Sequence, residues 1–296
     1  MFVSMLLLLA LSAGPAGSPN GAAAPKKRGW SERLEVTGTI DGVEAKHGLL
    51  VYLPKGYTAG RKYPLVLALH GWKHSAEMFR DEGTLDEQAD RFGVVVAVPD
   101  MGTTIYETLF YAETRAKKAW SKVPGTRWVG EVILPYVREH YAVYTDRQHT
   151  AVIGYSTGGR GALLLAEVYP EFGFAGSTSG TFDLMRLKPT EGEYRIHEVV
   201  YGSRETFPGR WDLDNVIAPA RLEKLFGVRV YASHGTKDRS VNPDQLSALE
   251  EALKDKPGLV ARFERVKGAA HEWPFWNTQW APMFEAMHEV FEAPPR

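Results

Sequence analysis

The sequence predicts an α/β fold, one domain built on a mostly parallel central sheet of about eight strands flanked by helices. Three observations predict it. Short continuous apolar runs recur at 64–69 (PLVLAL), 94–98 (VVVAV) and 149–154 (HTAVIG), the mark of strands buried on both faces. Segments of helical period separate them, and such alternation builds a parallel sheet through helical crossovers. No internal repeat runs through the 296 residues, which argues against a solenoid.

The elements follow in order. Residues 2–11 (FVSMLLLLAL) are too short an apolar run to cross a membrane but fit the core of a signal peptide. Small residues come next, and cleavage after Ala13, Ala16 or Ala24 is open; no Lys or Arg precedes the run. The expected organisation is a leader over 1–24, a flexible linker over 25–32 and one domain over 33–292, with folded structure starting near Trp30. Residues 33–40 and 47–53 read as strands joined by a turn at Asp41-Gly42. After the 64–69 strand, a helix is expected from Ser75 to about Phe92, with Gly93 ending it. The 94–98 strand follows. Residues 127–141 carry Trp128, Val132, Ile133, Val137 and Tyr141 at roughly helical period, and Pro135 inside should kink that helix. A strand at 149–154 leads into a helix at 157–168. Further strands are expected at 173–177, 228–233 and 260–266, and a final helix at about 278–291. The stretch 183–225, charged and aromatic-rich without strand period, reads as a helical or irregular insertion over one edge. It could be a lid or merely cover a helix face. Residues 101–125 are a second excursion.

Composition narrows the chemistry. Lys plus Arg number 35 and Asp plus Glu 36, so no basic excess advertises nucleic acid or an anionic membrane. The chain contains no cysteine, which excludes a Cys nucleophile, disulfides, Fe–S clusters and Cys-ligated zinc. Covalent catalysis would have to use another nucleophile.

Residues 150–162 (TAVIGYSTGGRGA) contain Gly154-Tyr155-Ser156-Thr157-Gly158, a G-x-S-x-G between a β-branched apolar run and an Ala/Leu-rich helix. A serine on so sharp a strand-to-helix turn takes strained backbone angles and needs small neighbours, which Gly154 and Gly158 supply. The turn lifts the Ser156 hydroxyl above the sheet edge and aims a helix N-terminus at the site, where its dipole favours an oxyanion. A serine also needs a base. His271 follows the last strand through Gly268-Ala269-Ala270 and is the favoured base; His234 in SHGTKD is the main rival, and His288 reads as solvated. For the acid, Asp238 sits in a turn after VRVYAS; Asp244, Asp212 and Asp183 are alternatives. The order Ser156, Asp238, His271 suits a strand–turn–helix nucleophile of this type. The oxyanion donors are expected to be the backbone N–H groups of Thr157 and Trp72, the latter after His70-Gly71.

These residues resemble the putative-esterase branch of the α/β-hydrolases, which holds esterase D (S-formylglutathione hydrolase), feruloyl esterases, enterochelin esterases and mycolyltransferases. The likeness is carried by Leu69-His70-Gly71, Val98-Pro99-Asp100, and the G-x-S-x-G-G-x-G-A of residues 154–162. His234-Gly235-Thr236-Lys237-Asp238 and His271-Glu272-Trp273-Pro274-Phe275-Trp276 continue it, and it spans about residues 35–290. The family usually has Met after the serine where this chain has Thr157; only the backbone of that residue is used. The resemblance implies an α/β-hydrolase fold and a serine ester hydrolase with Ser156, Asp238 and His271 as triad, needing no metal or organic cofactor.

Trp72, Tyr155 and Trp273 are expected to contact substrate, with Trp276 leaning towards packing. A leader would place the protein outside the cytoplasm, secreted or periplasmic, without stable membrane insertion. Its substrate would then be a small or polymer-linked ester met there: feruloyl-type, siderophore, lipid or polyester. An acyltransferase using the same triad, a non-catalytic module of the same fold and, more weakly, a peptidase are the alternatives. The oligomeric state is not legible.

Overall fold

The chain enters its sheet at an antiparallel end. Asp41 and Gly42 both take positive φ, 50° and 78°, as a two-residue hairpin turn requires. They join β2 (Leu34–Ile40) to β3 (Val43–Leu53), and pairing resumes at once, with Ile40 opposite Val43. The second strand therefore begins earlier than the expected residue 47. The structure, a computed structural model, describes residues 29–114, 122–254 and 256–294. The expected leader and the first part of the linker lie outside the described residues. The rest of that linker is not all loop: Gly29–Trp30 (β1) pairs with Leu53 and Tyr52 of β3.

From β3 the sheet turns parallel. β4 (Leu65–Leu69), β5 (Val95–Asp100), β6 (Thr150–Tyr155) and β7 (Phe174–Thr178) are buried along their whole lengths, as their apolar runs require. β8 (Arg229–Gly235) and the more exposed β9 (Val260–Val266) complete the order β1-β3-β5-β4-β6-β7-β8-β9, with β2 also on β3. Nine strands result among the described residues where about eight are expected; the additional one is the two-residue β1. From β4 the chain moves to one side for β5 and returns on the other for β6. The carboxyl ends of β4 and β6 thus flank the switch point where open α/β sheets bind ligands.

Two helices, α1 (Glu77–Asp81) and α2 (Leu85–Phe92), replace the single helix expected from Ser75 to Phe92. The break at 82–84 is held from afar. The Asn277 side chain accepts from the Thr84 N–H (3.2 Å) and donates to the Glu82 carbonyl (2.8 Å), so backbone groups freed by the break keep partners. In α3 (residues 125–140) a π-helical stretch, Trp128–Ile133, precedes Leu134–His140. The expected disturbance at Pro135 is this widened turn, which relieves the clash of the proline ring with the preceding turn. α4 (Thr157–Val168) has the bounds expected. The insertion 183–225 contains α5 (Gly192–Tyr201), α6 (Pro208–Leu213) and α7 (Pro219–Leu222). α8 (Asp244–Leu253) precedes β9.

The last helix, α9 (Trp273–Phe291), starts earlier than the expected 278. Pro274 lies in its first turn, where a missing N–H costs nothing, and Pro282 is carried inside it. Leu65, Leu67 and Leu69 of β4 face α3, α4 and α8, while Val66 and Ala68 face α1, α2 and α9, so one buried core lies on each side of the sheet. Among the described residues no helix is long and apolar enough to cross a membrane.

Candidate active site

β6 ends and α4 begins around one residue, Ser156. Its φ of 56° and ψ of −127° lie outside the regions that L-residues ordinarily occupy. Close packing enforces the turn. A methyl group on Gly154 would stand 2.7 Å from the Leu69 carbonyl oxygen, and one on Gly158 would stand 2.6 Å from that of His70. Only glycine lets α4 press this closely on the end of β4. The Ser156 N–H is tied to the Thr178 carbonyl at 2.9 Å, and the residue is only 7% exposed.

Two loops bring the other groups to it. The turn after β8 and the loop after β9 are laced together: Thr236 N–H to Val266 O (3.0 Å), Lys237 N–H to Ala269 O (2.9 Å) and Gly268 N–H to Thr236 Oγ1 (2.9 Å). Asp238 and His271 meet as a result. His271 Nδ1 lies 2.7 Å from Asp238 Oδ2, and its Nε2 lies 2.9 Å from Ser156 Oγ. A carboxylate only accepts, so Nδ1 carries the proton and Nε2 is left free to accept from the serine hydroxyl. Asp238 Oδ1 accepts from the N–H groups of Ser240 and Val241, both at 2.9 Å. Burial alone would raise the Asp238 carboxyl. Hydrogen bonds from His234, His271 and the Val241 backbone outweigh it and hold the group well below the ordinary carboxylate range.

The expected serine, acid and base are thus brought together. His234, the rival base, lies behind the acid, its Nε2 at 3.2 Å from Asp238 Oδ2. Asp183 instead caps a short turn at Met185 and pairs with Arg186, and Asp244 lies in the first turn of α8.

The loop after β4 carries Trp72. His70 is fully buried; its Nε2 accepts from the Met101 N–H (3.0 Å), so its Nδ1 is the protonated nitrogen and donates to the Gly71 carbonyl (2.8 Å). The same carbonyl accepts from the His74 N–H at 3.1 Å. In a planar trans peptide the Trp72 N–H then points the opposite way. Lys73 takes a φ of 58° within this turn, an uncommon conformation for a residue with a Cβ. Thr157 opens α4, where N–H groups lack intrahelical partners.

The aromatic residues divide differently from expectation. Tyr155, expected to contact substrate, is fully buried: it stacks on Trp276 (4.3 Å), and its hydroxyl lies 2.8 Å from His74 Nδ1. As the last residue of β6 it points to the opposite side from its neighbour, so it supports the site from beneath. Trp273 is half-buried, edge-on to Tyr155 (4.8 Å) and Phe79 (5.6 Å). Trp276 is buried and does more than anchor α9. Its ring meets the His271 ring edge-on at 5.1 Å, and its Nε1 donates to Ser179 Oγ at 3.3 Å. Trp72 is half-buried against Ile105 and the insertion residues Leu184, Leu187, Tyr194 and Trp211.

Sequence reasoning missed one more group, Arg160. Fully buried on α4, it donates to the carbonyls of Ile105 and Asp214 (both 2.7 Å) and to the Tyr201 hydroxyl (2.9 Å). It therefore staples the serine helix to both excursions; the only signal for it was an arginine inside a small-residue motif. Among the described residues no three His, Asp or Glu side chains converge as a metal site.

Comparison with known proteins identifies a family and a shared fold. The family described as "Putative esterase" matches residues 41–291. An acetyl esterase of Caldicellulosiruptor saccharolyticus is 25% identical over 232 residues, 75% of this chain and 82% of that protein. An esterase of Mycobacterium tuberculosis strain H37Rv is 29% identical over 143 residues, 47% of this chain and 30% of that one. Among solved structures, a ferulic acid esterase superposes with a TM-score of 0.68 at 19% identity, covering 90% of this chain and 100% of its own. An S-formylglutathione hydrolase from Staphylococcus aureus superposes with 0.67 at 16%, covering 88% and 99%. These last two likenesses show a shared fold.

Proposed function

The chain belongs to the putative esterase family and is a carboxylic ester hydrolase of the α/β-hydrolase fold; from that premise we propose that it works as a serine esterase through Ser156, His271 and Asp238. One observation carries the reading: a single imidazole lies 2.9 Å from the hydroxyl of a strained serine and 2.7 Å from a buried carboxylate. His271 takes the Ser156 proton through Nε2 as Oγ attacks the ester carbonyl. Asp238 holds the ring and stabilises the imidazolium. The N–H groups of Trp72 and Thr157 receive the oxyanion; losing one such donor typically costs about 10²–10³ in rate. His271 then gives its proton to the leaving alkoxide, and water activated at Nε2 releases the acid from the acyl-enzyme.

We also propose that residues 33–292 are one catalytic domain behind a leader at 1–24, acting on an ester outside the cytoplasm. The apolar run at 2–11 supports the location. The half-buried Trp72 face beside the insertion cluster supports an acyl or alcohol group with apolar or aromatic surface. An ester panel from acetyl to feruloyl, run on protein lacking residues 1–24, ranks the substrates. The triad itself is tested by Ser156→Ala with p-nitrophenyl acetate. Activity should fall at least about 10³-fold with the fold intact; retention of full activity would overturn the assignment.

A further inference from the structure

We propose that His234 is a positioning residue of the triad acid: its Nε2–H shares Asp238 Oδ2 with His271, aiming that oxygen and tempering its pull on the catalytic imidazole. The inference rests on the triad reading above. His234 is the penultimate residue of strand β8, four residues before Asp238, and is 1% exposed. Its Nε2 lies 3.2 Å from Asp238 Oδ2 and 3.1 Å from the Val241 carbonyl oxygen. Both neighbours only accept, so Nε2 must carry the proton and Nδ1 must be bare. Nδ1 is buried and meets no hydrogen-bond partner among the described residues, so the ring has given up one polar contact to keep the other in place. Three N–H groups donate to the carboxylate, two backbone ones on Oδ1 and that of His271 on Oδ2, while the His234 N–H, directed at the Val241 carbonyl, stands within reach of the same Oδ2.

Sharing has a sign. A second donor on Oδ2 draws off part of the acceptor strength that His271 would otherwise have alone. That strength matters more to the imidazolium than to the neutral ring. Removing the His234 N–H therefore favours the protonated base, and the acid limb of kcat/KM moves to higher pH. Other groups facing the pair stay in place in every variant. These are Glu193 from α5, which acts electrostatically on both Asp238 and His271, and His74 from the loop after β4, which faces His271. Arg160 from α4 acts on Glu193, Arg239 lines a cavity with Asp238, and Glu272 is exposed beside the base.

The test compares His234→Leu, which has no donor, with His234→Gln, which can present an amide N–H, on the full chain with p-nitrophenyl acetate. For Leu the expected result is kcat lowered about 10-fold with KM little changed, and an acid limb raised by a few tenths of a pH unit. Gln should recover most of both. A purely structural role would lower stability in both variants, leave the limb unmoved and show no recovery specific to the donor; that result overturns the proposal. Should the variants fail to fold, ¹⁵N-histidine NMR decides: a His234 Nε2–H resonance that shifts on Asp238→Asn supports the proposal, and an Nδ1–H tautomer or an Nε2–H resonance unmoved by that substitution refutes it. Unchanged His234 variants beside an inactive Ser156→Ala sink this inference alone. An active Ser156→Ala sinks the triad and this inference with it.

Discussion

Replacing Glu107 by Gln should remove a defined part of the pH dependence of stability. Glu107 is 3% exposed, in the excursion after β5. Its Oε1 accepts from the Gly125 N–H at 3.3 Å, and its Oε2 is buried with no partner among the described residues. Burial, with the negative charge of Asp214 adding to it, pushes the carboxyl from 4.5 up to about 7. In the unfolded chain the proton leaves near 4.5, and in the folded chain near 7. Between those values the folded state holds a proton that the unfolded state lacks, so this group's contribution to stability falls as pH rises through the window. At 1.36 kcal/mol per pH unit the fall amounts to about 3 kcal/mol. Glutamine cannot titrate. The stability of Glu107→Gln minus that of the unaltered protein should therefore grow by about 3 kcal/mol from about pH 4 to pH 8. Any constant offset from the new amide does not affect that slope. Urea unfolding of both proteins at pH steps across the range measures it. Parallel curves would refute the reasoning, and a slope of opposite sign would mean that Glu107 is ionised and paired.

Other outcomes follow from the same geometry. Gly158→Ala places a methyl against the Leu69 and His70 carbonyls; it should cost about 1–3 kcal/mol by overpacking and lower kcat, read together by thermal unfolding and p-nitrophenyl acetate kinetics. Arg160→Met removes one of two cations beside the buried Asp214, Arg221 remaining at 3.7 Å, and leaves the Ile105 and Asp214 carbonyls without their donor; stability should drop by about 1–3 kcal/mol for each carbonyl left unpaired, and limited proteolysis should speed up within 183–225. Unchanged cleavage there would show that the insertion does not depend on this staple. Asp238→Asn should lower kcat about 10⁴-fold by presenting His271 with the wrong tautomer. Because the Asp238 carboxyl is held low in the folded state, the substitution should also remove stability that is present above the ordinary carboxylate value and lost as pH falls below it. Acid-titration unfolding checks that second effect.

The parts of this molecule that were legible in sequence are those decided by local sterics and burial. The run before Ser156 and the glycines around it announce a buried strand, a sharp turn and a helix, and α4 has the predicted bounds. That Ser156, Asp238 and His271 could meet was readable because each follows its own strand. What was not legible depends on contacts between distant segments. The break between α1 and α2 is held by Asn277, 193 residues from Thr84. The early start of α9 was obscured by Pro274, which is harmless in the first turn. Tyr155 looked like a pocket residue from its place beside the serine, but strand alternation turns it into the core. His234 and Asp238 are four apart in sequence, yet only the fold shows two imidazoles on one carboxylate oxygen.

The central claim is that Ser156 carries the acyl group. Its most direct test is mass-spectrometric mapping after a brief reaction with an activated ester or a serine-directed fluorophosphonate. The account predicts a single adduct on the peptide containing Ser156, formed rapidly by the unaltered protein and absent from Ser156→Ala. An adduct on another residue, or undiminished labelling and turnover by Ser156→Ala, would contradict it.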